Sequence, residues 1–303
     1  MDTKKASAYI FPSSYCTIME PLEVYNANYK LIQAIYSSRL KIQILLSVAH
    51  NPKTLSELRE ITGSTSQAII PKIRRLEGLS LIEPIDHGYT ITPVGRILAT
   101  KIEDFVMTIG ELMKHREFWT THDIDGIPQP FLYQIGDLIS SEVKFDTTDN
   151  MFHVYTHFVT LLQEAAYIHG ISSVMSPQIA DVLAERIIAG VPIDLIVSRN
   201  VAEGLMQEPF LTKMQQLQTF QNFRVWMVDE QLHLGITVTD KILSLGLNSR
   251  ANAVYDSSAD MYSSDPQARD WAERLFQYYK NRATLMKMEE EHVSPADLPS
   301  VKN

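Results

Sequence analysis

The stretch from Thr54 to Thr100 reads TLSELREITGSTSQAIIPKIRRLEGLSLIEPIDHGYTITPVGRILAT. Thr54 and Glu57 stand three apart, so each side chain can satisfy the other's backbone amide at the start of a helix. Gly63 should stop that helix, because only glycine leaves it left-handed without cost. Ser64 and Gln67 repeat the pattern and predict a second helix after a turn of a few residues. In that helix Ile69, Ile73 and Leu76 fall at helical spacing toward a core, while Ser66, Gln67, Ile70, Pro71 and Arg74 fall on the other face. Pro71 is awkward: past the first turn a proline removes a backbone hydrogen bond, so the helix should either bend there or begin later than Ser64 implies. Leu81, Ile82 and Ile85, then Asp86-His87-Gly88, then Tyr89–Ile91 read as a β-hairpin. Thr92-Pro93 caps and opens a further helix.

Two tightly joined helices form a helix-turn-helix, and a hairpin behind them adds a wing. The order helix, turn, helix, hairpin, helix resembles the winged-helix regulators of the ArsR/MarR kind. The candidate DNA-contacting residues are Ser64, Thr65, Ser66, Gln67, Pro71, Lys72, Arg74 and Arg75, with His87 and Tyr89 on the wing. Serine and glutamine suit base edges, whereas Lys72, Arg74 and Arg75 suit phosphates. Alternatives are a winged helix used for protein contacts and a cationic face that is merely solvated.

Composition sets the outer limits. The 303 residues suffice for two domains with cores of their own. An apolar share of 45% and a charged share of 21% describe an ordinary globular chain rather than a disordered one. No apolar run reaches the roughly 18–20 residues of a membrane span, and the N-terminus lacks the apolar region of a signal peptide. Cys16 stands alone, which excludes an intrachain disulfide and a CxxC metal site and suits a reducing cytoplasm. The net charge of −9 is uneven: from Lys30 to Ile82 eight bases face three acids, giving +5, so the remainder carries −14. A basic module on an acidic body fits phosphate binding by one part only.

In chain order, residues 1–25 read as an irregular tail. Residues 26–100 are the winged helix-turn-helix, whose leading helical stretch breaks near Ser37-Ser38. Residues 101–140 read as a dimerisation helix and connection, residues 141–285 as a regulatory α/β domain, and residues 286–303 as a tail. Leu98, Ile102, Phe105, Ile109 and Leu112 recur at alternating spacings of four and three, a short heptad seam suited to pairing two subunits, or else to packing on its own domain. Gly126, Pro128 and Pro130 mark a nearby boundary. Beyond it, Tyr167–Val174, a helix opened by Ser176-Pro177 and closed by Gly190, and Val191–Val197 form a βαβ unit with parallel strands. A glutamine-rich helix, a strand at Phe223–Val228, a hairpin about Thr239-Asp240 and a last helix capped by Ser264-Asp265-Pro266 complete a mixed sheet.

Several runs in this half point to one family: HDIDGIP at 122–128, GISSV at 170–174, GVPIDLIV at 190–197, TVTDKILSLGL at 237–247, YDSSADMYS at 255–263 and WAERLFQYY at 271–279. With SQAIIPKIRRL at 66–76, they resemble the methanogenesis regulatory proteins of methanogenic archaea over most of residues 28–282. That resemblance implies a cytoplasmic archaeal transcription factor, without naming its target or signal. A second, weaker resemblance is to one half of the phospholipase D fold, also found in archaeal sugar-sensing regulators. Those enzymes carry H-x-K-x-x-x-x-D, and here His233, Gly235 and Asp240 occupy its places in a single copy. Without the lysine that steadies phosphate charge, phosphodiesterase activity is not expected.

The expected function is therefore a non-enzymatic, DNA-binding regulator that acts as a homodimer on double-stranded DNA and answers to a small-molecule effector. No cofactor and no membrane partner are expected. Ligand-binding candidates are Ser172, Ser173, Ser176, Ser198, Asn200, His233 and Asp240, because α/β sheets bind ligands beyond the carboxyl ends of their strands. Asp256, Asp260 and Asp265, set among serines, read as capped turns of a connection in preference to a polar pocket. His153 and His157 have the spacing of a metal pair but no third ligand, so no metal is assigned. The competing readings are a small-molecule-binding or phosphoesterase-like protein with a vestigial winged helix, and a protein-docking adaptor.

Overall fold

The computed structural model describes residues 20–217 and 219–286. Of the tails expected at residues 1–25 and 286–303, residues 1–19, with Cys16, and 287–303 lie outside the described residues. The chain divides into two compact units that meet between Glu103 and Asp104.

The first unit holds α1 (Pro21–Tyr36), α2 (Arg39–Val48), α3 (Leu55–Thr62), α4 (Ser66–Glu77), the strands β1 (Ile82–Ile85) and β2 (Gly88–Ile91), and the start of α5 (Pro93–Lys114). The irregular arm expected up to residue 25 is wrong from Pro21 onward. Proline at the first helical position gives up an amide that would have no partner there, and α1 begins on it. Both halves of the Thr54 capping box form: the Thr54 hydroxyl accepts from the Glu57 amide at 3.2 Å, and Glu57 accepts from the Thr54 amide at 2.7 Å.

The second capping box does not form. Gly63 ends α3 at φ +63°, its amide donating to Glu60 and that of Ser64 to Arg59. This Schellman closure uses Ser64 to finish the preceding helix, so the cap passes to Thr65, whose hydroxyl accepts from Ala68 at 3.4 Å. Gln67 then falls at the second helical position, out of reach of a box. The helix starts one residue later than Ser64 implied, and Pro71 still lies inside it, past the first turn, as it runs to Glu77.

Ile69, Ile73 and Leu76 of α4 are buried with Ile44, Leu45 and Val48 of α2 and Leu58 of α3. The β1–β2 hairpin turns over Asp86-His87, with Ile85 opposite Gly88. Lys53 pairs with Tyr89 as a third short rung. A Cβ on Gly88 would meet the Lys53 carbonyl oxygen at 2.5 Å, so that rung exists only because the residue is glycine.

The second unit continues α5 and adds α6 (Arg116–Thr121), α7 (Gln129–Leu132), a 3-10 turn (Ile135–Leu138), β3 (Glu142–Phe145), α8 (His153–Glu164), β4 (Ile168–Ser172), α9 (Pro177–Ile188), β5 (Ile193–Ser198), α10 (Arg199–Leu205), α11 (Leu211–Leu217), β6 (Phe223–Val228), β7 (Leu234–Thr239), β8 (Leu243–Leu247), β9 (Ala259–Ser263), α12 (Pro266–Lys280) and β10 (Thr284–Leu285). Eight strands form one mixed sheet in the order β10-β6-β5-β4-β7-β8-β9-β3. β4, β5 and β6 are parallel, as the βαβ pattern requires, and the other pairs are antiparallel.

Alternation along the strands assigns the two faces. Leu234, Ile236, Val238, Leu243, Leu245 and Met261 join Trp271, Leu275 and Phe276 of α12 in the largest core. On the same face, buried Asp194 accepts from Lys280 of α12 and from Arg224, each at 2.6 Å. Ile168, Ile193, Leu195, Val197 and Val225 face the other way, toward helices α8 to α11.

Three expectations fail here. Residues 101–140 are not a plain connection: Phe118, Ile127, Phe131, Ile135 and Leu138 are core residues of the second unit. Residues 259–263 are not a turn but the fully buried strand β9, paired on both sides by β8 and β3. The heptad seam also divides. Ile102 is fully buried and Leu98 packs beside it in the first unit's core, whereas Phe105, Ile109 and Leu112 are exposed. Ile102 is thus spent within its own unit and is removed from the dimerisation set. Among the described residues no helix is long and apolar enough to cross a membrane.

Candidate functional site

In the first unit, burial of Ile69, Ile73 and Leu76 turns Thr65, Gln67, Pro71, Arg74 and Arg75 outward, with Ser66 and Lys72 half-buried. The cations of this face act on one another. Lys41 of α2 is buried, and burial together with the charges of Lys72 and Arg75 pulls its pKa below the usual lysine range. His87 is exposed at the hairpin turn. Tyr89 is half-buried against the core, with its backbone tied to Lys53, so it is less free than a wing residue needs to be. Ser64 is occupied in closing α3. The structure therefore groups Ser66, Gln67, Pro71, Lys72, Arg74 and Arg75 on α4 with Thr65 as its cap, and sets Ser64, His87 and Tyr89 apart.

In the second unit a cavity of about 290 Å³ lies between the sheet and helices α8 to α11. Over the parallel strands its wall is apolar, with Phe158, Leu183, Leu195, Met214 and Val225, apart from serines at the end of β4. Over the antiparallel strands it is polar. Thr237 of β7, Ser244 of β8 and Asp260 of β9 line it from adjacent strands, with Tyr255 and Asp256 beside them. The Ser244 hydroxyl donates to Asp260 Oδ2 at 2.6 Å, while Asp260 Oδ1 has no hydrogen-bond partner among the described residues. Burial raises the Asp260 pKa to about 7, against the lowering effects of the Ser244 hydroxyl, the Tyr262 hydroxyl and the Met261 amide. Asp256 is also partly desolvated, but hydrogen bonds from Ser258 and its pairing with His122 at 3.2 Å hold its pKa below the usual range.

Of the predicted ligand residues, Ser172, Ser173 and Ser176 line this cavity. Ser198, Asn200, His233 and Asp240 do not. Ser198 caps α10 by accepting from Val201 at 3.4 Å, and Asn200 is exposed on that helix. His233 sits beside Asn248 ahead of β7, at 3.4 Å, and Asp240 lies past its far end, accepting from the Ala166 amide at 2.7 Å. Seven steps of extended chain separate the two by roughly 23 Å at ~3.3 Å per step, so they share no site. Asp260 and Ser244 were missed because serine and aspartate in a short run look like turn residues. The alternation of Ala259 and Met261 about Asp260 was the available signal. His153 and His157 stack at 6.5 Å, and among the described residues no three metal-ligating side chains converge.

Comparison with known proteins is consistent along the chain. Residues 29–110 match the family description "Methanogenesis regulatory protein FilR1, N-terminal domain", and residues 151–282 match the middle domain of the same protein. A curated relative, methanogenesis regulatory protein FilR1 of Methanothrix harundinacea (strain 6Ac), is 26% identical over 257 residues, 84% of this chain. The match spans 57% of that relative's length.

Solved structures are more distant. The archaeal chromatin protein TrmBL2, whose structure is described as showing a novel mode of DNA binding, has a TM-score of 0.38 at 14% identity, over 86% of this chain and 100% of that one. NucT from Helicobacter pylori has a TM-score of 0.37 at 14% identity, over 47% of this chain and 96% of that one. Matched by both domain descriptions in the same order, the chain belongs to the methanogenesis regulatory protein family.

Proposed function

We propose that the protein is a DNA-binding transcriptional regulator of the cytoplasm, without enzymatic activity. Residues 26–100 act as a winged helix-turn-helix and lay α4 in the major groove of duplex DNA. Two copies act together through the exposed part of α5, and the second unit answers to a small effector. The observation that carries this reading is the outward face of α4, where Gln67, Arg74 and Arg75 are exposed opposite a buried Ile69–Ile73–Leu76 face. Cations there meet phosphates and set the salt dependence of binding, while Gln67 meets base edges. The cavity of the second unit, with its apolar wall and few polar groups, has the make-up of a small-molecule site.

The test is fluorescence anisotropy of the full chain on a library of labelled duplexes over a range of salt. Arg74→Ala with Arg75→Ala should weaken binding to every duplex and flatten its salt slope by about two. Gln67→Ala should relax discrimination among duplexes instead. Unchanged binding by the double variant would overturn the proposal.

A further inference from the structure

We infer that the cavity of the second unit takes a small amphiphilic amine, its apolar body against the parallel strands and its protonated amino group on Asp260. The inference rests on the reading of that unit as the effector-sensing part and assigns the chemistry of the effector.

The apolar wall sets the first requirement. Leu195, Val197 and Val225 from the sheet and Phe158, Leu183 and Met214 from the helices offer no hydrogen bond to a polar body, and the serines on this side, Ser172, Ser173 and Ser176, stand only at the end of β4 and the start of α9. Placing polar atoms there unpaired is costly, so the ligand's body must be hydrocarbon-like.

The polar end sets the second. Asp260 is 5% exposed, and one of its carboxylate oxygens is taken by Ser244. The other lines a cavity without a donor among the described residues. The Tyr262 hydroxyl is close enough to lower the Asp260 pKa, but its hydrogen bond goes to the carbonyl of Val154 at 3.4 Å. A buried acceptor of this kind is a place for a donor to arrive.

Charge decides which donor. Asp256 lines the same polar end, and Asp240, outside the cavity, does not contribute to it. Lys213 is the one lysine or arginine on the wall among the described residues, and it is carried by α11 and paired with Asp181 of α9. An anionic effector would therefore meet carboxylates with no free cation on the wall to offset them. A cation meets an acceptor that is otherwise unfilled and offsets the burial that raises the Asp260 pKa to about 7, holding the carboxylate ionised in a hydrogen bond of the strong, charge-assisted kind.

Three eight-carbon probes test this: n-octylamine, 1-octanol and octanoate, titrated calorimetrically into the full chain. Octylamine should bind and octanoate should not, and this ranking on the unaltered protein needs no folded variant. Asp260→Asn keeps the side chain's shape and should weaken octylamine by about tenfold or more, the loss expected for a charge-assisted hydrogen bond, while changing octanol by about twofold at most. Leu183→Trp, which fills the apolar end, should weaken octylamine and octanol alike. Octanoate binding as tightly as octylamine, or octylamine unaffected by Asp260→Asn, would overturn the amine assignment and leave effector sensing standing. If none of the three probes binds, the sensing role of the cavity falls with it.

Discussion

The ring of Tyr255 lies across Gly235, so close that a Cβ on the glycine would come within 3.0 Å of the ring's Cε2 and hydroxyl oxygen. Gly235 pairs with Gly246 on the neighbouring strand, and a Cβ there would meet the same hydroxyl at 2.1 Å. The aromatic ring thus covers a cross-strand pair of glycines and replaces the side chains that neither residue has. Gly235 is also the position at which a phospholipase-like motif would carry its lysine. The place of that lysine is taken, and the tyrosine that takes it is held there by packing. Gly235→Lys should therefore displace Tyr255 and lower the melting temperature, without creating phosphodiesterase activity. Turnover of a chromogenic phosphodiester by that variant would overturn the reading of this unit as non-enzymatic.

The α5 helix presents two kinds of apolar residue to any account of assembly. Ile102 is fully buried in the first unit, while Ile109 is 45% exposed. Ile102→Asp places a charge in a closed core and should destabilise the first unit by about 3 kcal/mol or more. Ile109→Glu should cost far less, because that side chain is half exposed and fills no closed core. If the exposed stretch of α5 pairs two subunits, Ile109→Glu should convert dimer to monomer in sedimentation velocity and weaken DNA binding. An unaltered chain that sediments as a monomer at micromolar concentration would remove the dimer.

Much of this was legible in the residues, and the failures have local causes. The Thr54–Glu57 box and the Gly63 stop are interactions within one turn, so spacing alone fixes them. Ser64 misled because its amide is claimed by the helix before it, a choice decided by Gly63's conformation rather than by Ser64. Ile102 fitted a heptad, yet periodicity states only that a residue is on an apolar face, not which partner covers it. Asp260 was passed over because strand β9 is buried on both faces, and its polar row contacts Ser244, sixteen residues earlier. Long-range pairs of that kind leave no mark at fixed spacing. The Phe118–Leu138 segment looked like a connection because Gly126, Pro128 and Pro130 break its helices, but breaking a helix does not prevent the pieces from packing into a core.

Gly95 tests how tightly the hairpin is tied to α5. The Thr92 hydroxyl accepts from the Gly95 amide at 2.9 Å and itself donates to the Ser80 carbonyl at 2.6 Å. A Cβ on Gly95 would fall 1.8 Å from the carbonyl oxygen of Leu81, a backbone atom that cannot swing aside. Alanine is the better helix former, so in isolation Gly95→Ala would stabilise α5 by about 1 kcal/mol. Here the clash wins, and the variant should melt earlier and lose DNA affinity as the hairpin shifts. A higher melting temperature with unchanged DNA binding would mean that the hairpin yields without cost.

Glu111 gives the second unit a pH dependence of its own. Its side chain is fully buried; one oxygen accepts from the Trp119 indole at 3.0 Å, and the other has no hydrogen-bond partner among the described residues. Burial raises its pKa from 4.5 to about 7, against the indole hydrogen bond and the charge of Lys114. Between those two values the folded chain holds a proton that the unfolded chain has released, so stability falls as pH rises through that window and levels off above it. His115, one helical turn away, works in the opposite sense. Burial lowers its pKa, so the unfolded chain binds the extra proton at acid pH, and folding gains as pH rises toward neutrality. Glu111→Gln keeps an acceptor for the indole and removes only the falling part. The variant and the unaltered protein should melt together near pH 4.5 and separate as pH rises, with the variant the more stable of the two above about pH 7. Parallel melting curves across that range would mean that Glu111 ionises in the folded protein at the same pH as in the unfolded chain.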